Sequence, residues 1–158
     1  MRKHRRAARE LALNILYQWD SARVPFEEAL DTALAYADLG HLDTKRSDRS
    51  QEARDYARAL AVGTKEKLEE LDAFIAKLSE GWTLDRQPAV DRNILRIALY
   101  EMRYVDSVPP IVAIDEAVEM AKKYSTAESG KFVNGVLAGY LRQYEAHTEE
   151  EEVGSNDS

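Results

Sequence analysis

Apolar residues recur at three- and four-residue spacing along most of the chain, and no segment alternates with period two. This spacing is typical of the buried face of an amphipathic α-helix, whereas alternation would indicate a strand. The 158 residues include only 7 Gly and 4 Pro, which break helices, so the composition agrees with the periodicity. We therefore expect an all-α fold.

The periodic segments also predict where the helices lie. The predicted elements of the first half are helices over 5–20, 26–39 and 51–79, with a polar loop at 40–50. The third of these helices is expected to break near Gly63, because glycine weakens helix interiors. Residues 81–88 join two halves. In the second half, Asp91 and Ser129 are expected to cap helices, and the Pro109-Pro110 pair to separate two more.

Charge is distributed unevenly between the two ends of the chain. The net charge is −7, yet residues 2–9 carry five Lys or Arg and no acid, whereas residues 145–158 carry six acids and no Lys or Arg. We expect a first domain over 1–80 with a basic start, a second over 81–146, and a disordered acidic tail over 147–158.

The basic start predicts a phosphate-binding ridge. Four arginines recur at i, i+3, i+4 and i+7, roughly 110° around the helix from its apolar stripe; they are Arg2, Arg5, Arg6 and Arg9. Guanidinium groups on that side would point outward and suit phosphate oxygens. Leu13 and Tyr17 continue the same face, which indicates either a binding surface or coverage by a neighbouring helix or loop. The alternative for the arginines is a solvated terminus that only aids solubility.

The last helix carries a second candidate site. Phe132 falls off the apolar stripe and follows Lys131, so the ring could stack on an unpaired base while the ammonium meets phosphate. The alternative is a tight helix–helix contact in which Gly135 and Gly139 let another backbone approach Phe132.

The sequence lacks the residues and motifs that several classes of protein need. There is no cysteine, and His4, His41 and His147 show no metal-ligand spacing. We find neither a phosphate-binding loop nor a nucleophile motif, so we expect no catalytic residue, no metal and no cofactor. No apolar run approaches the length of a membrane span and no secretory signal opens the chain, so we expect a cytoplasmic protein without membrane contact.

Four sequence blocks resemble one known family. They are DRNILRIALYEM at 91–102, VP at 108–109, IDEAVEMAK at 114–122 and SGKFVNGVL at 129–137. In this order and spacing they resemble the NusB family of transcription antitermination factors, over about residues 5–141. The resemblance implies about seven helices in two packed bundles. It also implies binding of single-stranded boxA-type RNA together with the ribosomal protein NusE, within a complex that helps RNA polymerase resist termination on ribosomal RNA operons.

The resemblance also implies roles for individual positions. Arg5, Arg6 and Arg9 fall in the family's arginine-rich RNA-binding motif, next to Arg2 and Lys3, and Lys131 and Phe132 fall at its C-terminal RNA contacts. The positions tied to the NusE contact or to its strength are Tyr17, Asp91 and Glu128. Some members self-associate, so a homodimer is a further expected state. Two alternatives stay open: a protein–protein adaptor, and a NusB-like RNA-recruitment domain of the kind fused to RNA methyltransferases.

Overall fold

The computed structural model describes the backbone of residues 2–37, 39 and 47–156, and the side chains of residues 4–37, 39 and 49–144. Within this part of the chain there are seven helices and no strand, which confirms the all-α prediction. The helices are α1 (Arg2–Asp20), α2 (Phe26–Tyr36), α3 (Ser47–Glu66), α4 (Leu68–Leu78), α5 (Ala89–Tyr104), α6 (Pro110–Tyr124) and α7 (Ala127–Asn156).

The helices pack as two groups that share one core. α1, α2 and α3 contact one another, and so do α5, α6 and α7, while α5 contacts α1 and α3 as well. The division into domains 1–80 and 81–146 stays a prediction, and α4, from the first range, packs mainly on α5 and α7 of the second. Buried apolar residues from both groups form one continuous cluster. α1 and α7 therefore both pack on α5.

Polar contacts also fasten α1 and α4 to α5. Asp20, the last residue of α1, accepts hydrogen bonds from Arg92, from Asn93 at 3.0 Å and from Arg96 at 2.9 Å. Arg96 also donates to both carboxylate oxygens of Asp72 on α4, at 2.7 and 2.9 Å. Burial alone would raise the pKa of Asp20, but the hydrogen bonds from Arg92 and Asn93 and the nearby guanidinium charges outweigh it and lower this pKa.

Predicted and observed helix ends differ at several points. The break expected near Gly63 lies at Lys67 instead. Gly63 lies inside α3. A Cβ at this position would come within 2.2 Å of the Tyr100 ring, so the glycine permits close packing of α3 on α5. The second helix ends at Tyr36 rather than at residue 39. Most of the predicted loop at 40–50 lies outside the described residues, and its last four residues are already helical.

Neither predicted cap is a cap. Pro88 occupies the position before α5, and Asp91 lies inside the first turn with its side chain buried. At α7, Thr126 takes the capping role, since its Oγ1 accepts the backbone N–H of Ser129 at 3.0 Å. α7 runs as far as Asn156, and the run of glutamates near its end has high helix propensity. The disordered tail over 147–158 stays a prediction.

Candidate nucleic-acid interface

The arginine-rich start of α1 contains one well-exposed guanidinium among the described side chains. Arg6 has 58% of its side chain accessible, and its Nε and Nη2 donate to the two carboxylate oxygens of Glu116 on α6, each at 2.9 Å. These hydrogen bonds raise the pKa of Arg6 above its ordinary value. The same two-point geometry would fit two oxygens of a phosphate group. The side chains of Arg2 and Lys3 lie outside the described residues.

Arg5 lies beside Arg6 and is oriented by two neighbours. Its Nη2 donates to Ser107 Oγ at 3.1 Å, and its guanidinium carbon lies 4.7 Å from the centre of the Tyr56 ring. A cation over an aromatic face is attracted by the ring's quadrupole. Arg5 is therefore partly exposed but held between α3 and the turn that precedes α6.

Arg9 contradicts the prediction that the whole ridge points outward. Only 4% of its side chain is exposed, and its Nε donates to both carboxylate oxygens of Glu101 on α5, at 2.8 and 3.0 Å. The Tyr56 hydroxyl donates to the same carboxylate. Burial and the carboxylate raise the pKa of this hydroxyl, so it stays a donor. Because α1 packs on both α3 and α5, Arg9 faces a buried acid rather than solvent.

Tyr17 borders an open groove between α1 and α2. The groove has a volume of about 620 Å³, and Tyr36 and Tyr124 also line it. Tyr17 is exposed, whereas Leu13, predicted on the same face, is buried in the core. Coverage by neighbouring elements was therefore the right alternative for Leu13. Tyr17 is accessible, and its part in a binding surface stays a prediction.

α6 connects the start of α1 with the start of α7. Next to the Arg6–Glu116 pair, Lys123 of α6 donates to Glu10 of α1 at 2.9 Å. On the other side of α6, a Cβ placed on Gly130 of α7 would lie 3.0 Å from the Cγ of Lys122. α6 therefore contacts both α1 and α7, close to the residues of the two predicted RNA sites.

The start of α7 presents the second predicted site. Lys131 is 78% exposed, and its ammonium lies 3.5 Å from Glu128, which is also exposed. Phe132 is half-buried, and its ring centre lies 6.1 Å from that of Trp82, at an interplanar angle of 41°. Lys131 and Glu128 are therefore accessible to a ligand, and Phe132 is partly so.

Asp91 has a buried side chain. Its Oδ2 accepts a hydrogen bond from Ser129 Oγ at 2.8 Å. Ser129 is the third residue of α7, two positions before Lys131. The carboxylate therefore fixes the start of α7 on α5, and the link of Asp91 to the NusE contact or its strength stays a prediction.

The sequence analysis missed three residues that shape this surface. Glu116 could not be assigned, because its pairing with Arg6 joins residues 110 positions apart. Tyr124 is the last residue of an amphipathic helix, and no local pattern distinguishes it as part of a groove. Trp82 carried a readable signal, since a tryptophan in a polar linker has no apolar stripe to join.

Among the residues that the structure describes, no three His, Cys, Asp or Glu side chains come close enough together to hold a metal ion. Within the same residues, none of the helices combines the length and the hydropathy that crossing a membrane requires.

Comparison with known proteins agrees with this architecture. Residues 6–142 match the NusB family. The transcription antitermination protein NusB of Solibacter usitatus is 44% identical over 139 residues, which cover 88% of this chain and 89% of that protein. NusB of Symbiobacterium thermophilum is 40% identical over 153 residues, which cover 97% and 99%.

Solved structures give the same result. T. maritima NusB superposes with a TM-score of 0.73 at 37% identity, over 87% of this chain and 90% of that one. A crystal structure of the antitermination factors NusB and NusE in complex with dsRNA contains a chain that superposes with a TM-score of 0.75 at 30% identity, over 91% and 100%. The sequence match, the seven-helix fold and the arginine-bearing first helix together show that the chain belongs to the NusB family.

Proposed function

We propose that this chain is a transcription antitermination factor that binds single-stranded boxA-type RNA together with NusE and supports RNA polymerase on ribosomal RNA operons. The observation that carries the proposal is the surface along α1, α6 and α7. Arg5 and Arg6 stand at one end of it and Lys131 and Phe132 at the other. Separated cationic groups and a ring on one surface suit a flexible, unpaired strand.

The cationic side chains of this surface are suited to binding the phosphate groups of a nucleic acid. Arg6, Lys123 and Lys131 each pair with a carboxylate in the free protein. Exposed ion pairs of this kind contribute only about 0–1 kcal/mol each, so phosphate oxygens can replace the carboxylates at small cost. Such exchange predicts binding that weakens as salt concentration rises.

The groove beside Tyr17 supports a protein partner next to the RNA. It is open, apolar along much of its wall and lined by aromatic side chains, as expected for a protein contact. A solved relative is described as NusB and NusE in complex with dsRNA, so a ternary assembly exists for that protein. We assign Tyr17 and Glu128 to the partner side of this chain's surface.

We also propose that the protein is cytoplasmic and has no catalytic activity of its own. The described residues offer polar groups that pair with one another, without a cleft in which a nucleophile and a base converge. A homodimer that covers the RNA surface is a further proposed state of the free protein.

One binding experiment tests this function. The fluorescence anisotropy of a labelled boxA-type RNA is measured with the protein alone and with NusE added, at two salt concentrations. We expect NusE to tighten binding, higher salt to weaken it, and R5A/R6A to weaken it further. A duplex of the same sequence is the comparison arm.

The controls separate the alternatives. If R5A/R6A leaves RNA affinity unchanged while NusE still binds, the protein is an adaptor and the proposed RNA function is wrong. Light scattering of the free protein at increasing concentration tests the homodimer, which predicts weaker RNA binding at concentrations where dimers form.

A further inference from the structure

The linker between α4 and α5 holds a tryptophan in solvent. Trp82 is 54% exposed, yet its backbone is well fixed. The backbone N–H of Trp82 donates to the carbonyl of Ser79 at 3.0 Å, and its backbone carbonyl accepts from Nε2 of the buried Gln87 at 3.2 Å. The exposure of the indole is therefore a feature of an ordered turn, in which a large apolar ring stays in contact with water.

The neighbours of Trp82 belong to the second predicted RNA site. Its ring lies beside Phe132 with 6.1 Å between centroids and a tilt of 41°, which is not a face-to-face stack. The indole is 54% exposed, so part of the ring is accessible. Lys131 directly precedes Phe132 in α7 and is exposed. Two rings in contact, with an exposed ammonium on the residue before one of them, thus make up a candidate patch.

We propose that Trp82 is a base-stacking residue of the RNA surface, and that Trp82 and Phe132 together form a platform for unpaired bases while Lys131 meets the adjoining phosphate. The inference rests on the proposed RNA function and adds a residue to its binding site. An indole offers the largest ring face of any side chain, and every base has a π-face to meet it, so such stacking tolerates sequence variation. A fixed backbone lowers the entropy lost on binding.

The chemistry of the patch favours an unpaired strand over other occupants. In a duplex the base faces are already stacked on their neighbours and are unavailable to side chains. A purely apolar protein contact would not need the adjacent ammonium of Lys131, which is more than three-quarters exposed. If Trp82 only covers Phe132 as part of the fold, its removal changes stability and leaves RNA affinity alone.

Tryptophan fluorescence gives a direct test, because the chain has only two tryptophans. Trp19 packs edge-on against Phe26, so W19F keeps an aromatic ring at that contact and leaves Trp82 as the single reporter. W19F is titrated with single-stranded boxA-type RNA in the presence of NusE, and W19F/W82F provides the background signal. We expect strong quenching by the single strand and weaker quenching by the duplex.

Affinity in the native background is the second, independent measurement. We expect W82A to weaken binding of the labelled single strand about 5- to 150-fold, the range for loss of one base stack. W82F should retain part of the affinity, because it keeps a smaller ring. Circular dichroism melting of each variant shows whether the fold is intact at the temperature of the binding assay.

Each contrary outcome overturns a defined statement. If the RNA binds but neither fluorescence nor W82A affinity changes, Trp82 does not stack on bases, while the proposed function stands. Quenching by NusE alone would make Trp82 a protein contact and overturn the inference. A lower melting temperature of W82A with unchanged RNA affinity would show that Trp82 has only a structural role. If the wild-type protein binds no RNA at all, the proposed function fails first.

Discussion

Removal of the Arg6 side chain and removal of the Arg9 side chain should affect different properties of the protein. Arg6 is exposed and pairs with Glu116 at the surface, whereas Arg9 is buried against Glu101. We predict that R9A destabilises the fold and that R6A weakens RNA binding. The two variants carry the same chemical change three residues apart on one helix, so each is the control for the other.

The expected magnitudes follow from burial. Glu101 is 1% exposed, and without Arg9 its carboxylate keeps only the Tyr56 hydroxyl among the hydrogen bonds described above. Leaving a buried charge without its partner costs about 3–5 kcal/mol. The exposed Arg6 pair contributes about 0.2–1 kcal/mol. For a chain of this size, these values predict that the melting temperature falls by about 6–20 °C for R9A and less than about 4 °C for R6A.

Thermal unfolding followed by circular dichroism at 222 nm measures the first effect, and RNA anisotropy well below the melting temperature measures the second. R9M/Y56F/E101L replaces the buried polar network with apolar groups of similar size. We expect this triple variant to recover most of the stability lost in R9A, because a buried ion pair can be replaced by packed apolar residues at little cost. The ring under Arg5 is preserved by phenylalanine at position 56.

R9A also has an outcome that contradicts the burial of Arg9. If R9A melts within about 2 °C of the wild type, a shift expected from a surface change, and binds RNA much more weakly, then Arg9 turns outward to meet phosphate. The burial described above would then not be the state that binds RNA.

Three further predictions concern the same scaffold. E116Q should raise RNA affinity by up to about fivefold, since phosphate no longer competes with a carboxylate for Arg6; lower affinity in the anisotropy assay would show that Glu116 orients Arg6 for binding. G63A should cost about 1–3 kcal/mol in urea unfolding, because the new methyl group overlaps the Tyr100 ring; an unchanged midpoint would mean that the ring moves freely. The ion pairs of Asp20 outweigh burial and lower its pKa below the ordinary 3.8, so its stabilisation is complete above about pH 5 and is lost as pH falls through the folded-state pKa. D20N should therefore be less stable than the wild type at pH 7, and the difference in urea unfolding should shrink below pH 4; a difference independent of pH would contradict the shift.

The sequence predicted the helices well because each one carries its own apolar stripe. Periodicity is local, so the all-α fold and most helix positions follow from spacing alone. Gly63 shows where this reasoning ends. Its low helix propensity indicated a break, but its real role depends on Tyr100, 37 positions later, against which α3 packs. Packing partners of this kind are not encoded in local spacing.

The candidate site shows the same limit with charged residues. Arg6 and Arg9 look alike in a helical projection, and only the placement of Glu116 and Glu101 on other helices makes one exposed and one buried. Asp91 suited a helix cap by position, yet the approach of α7 turned it into an acceptor for Ser129. Residue type and spacing predict a candidate surface, whereas tertiary contacts decide which of its side chains are exposed.

We propose that one RNA strand contacts both the start of α1 and the start of α7. The most direct measurement is the salt dependence of boxA-type RNA binding, with NusE present, for the wild type, R5A/R6A, K131A and the combined variant. Each lost phosphate contact should reduce the slope of log K against log salt by about 0.7, and the reductions should add in the combined variant. An unchanged slope in either R5A/R6A or K131A would show that the RNA uses only one end of the surface and would contradict the account.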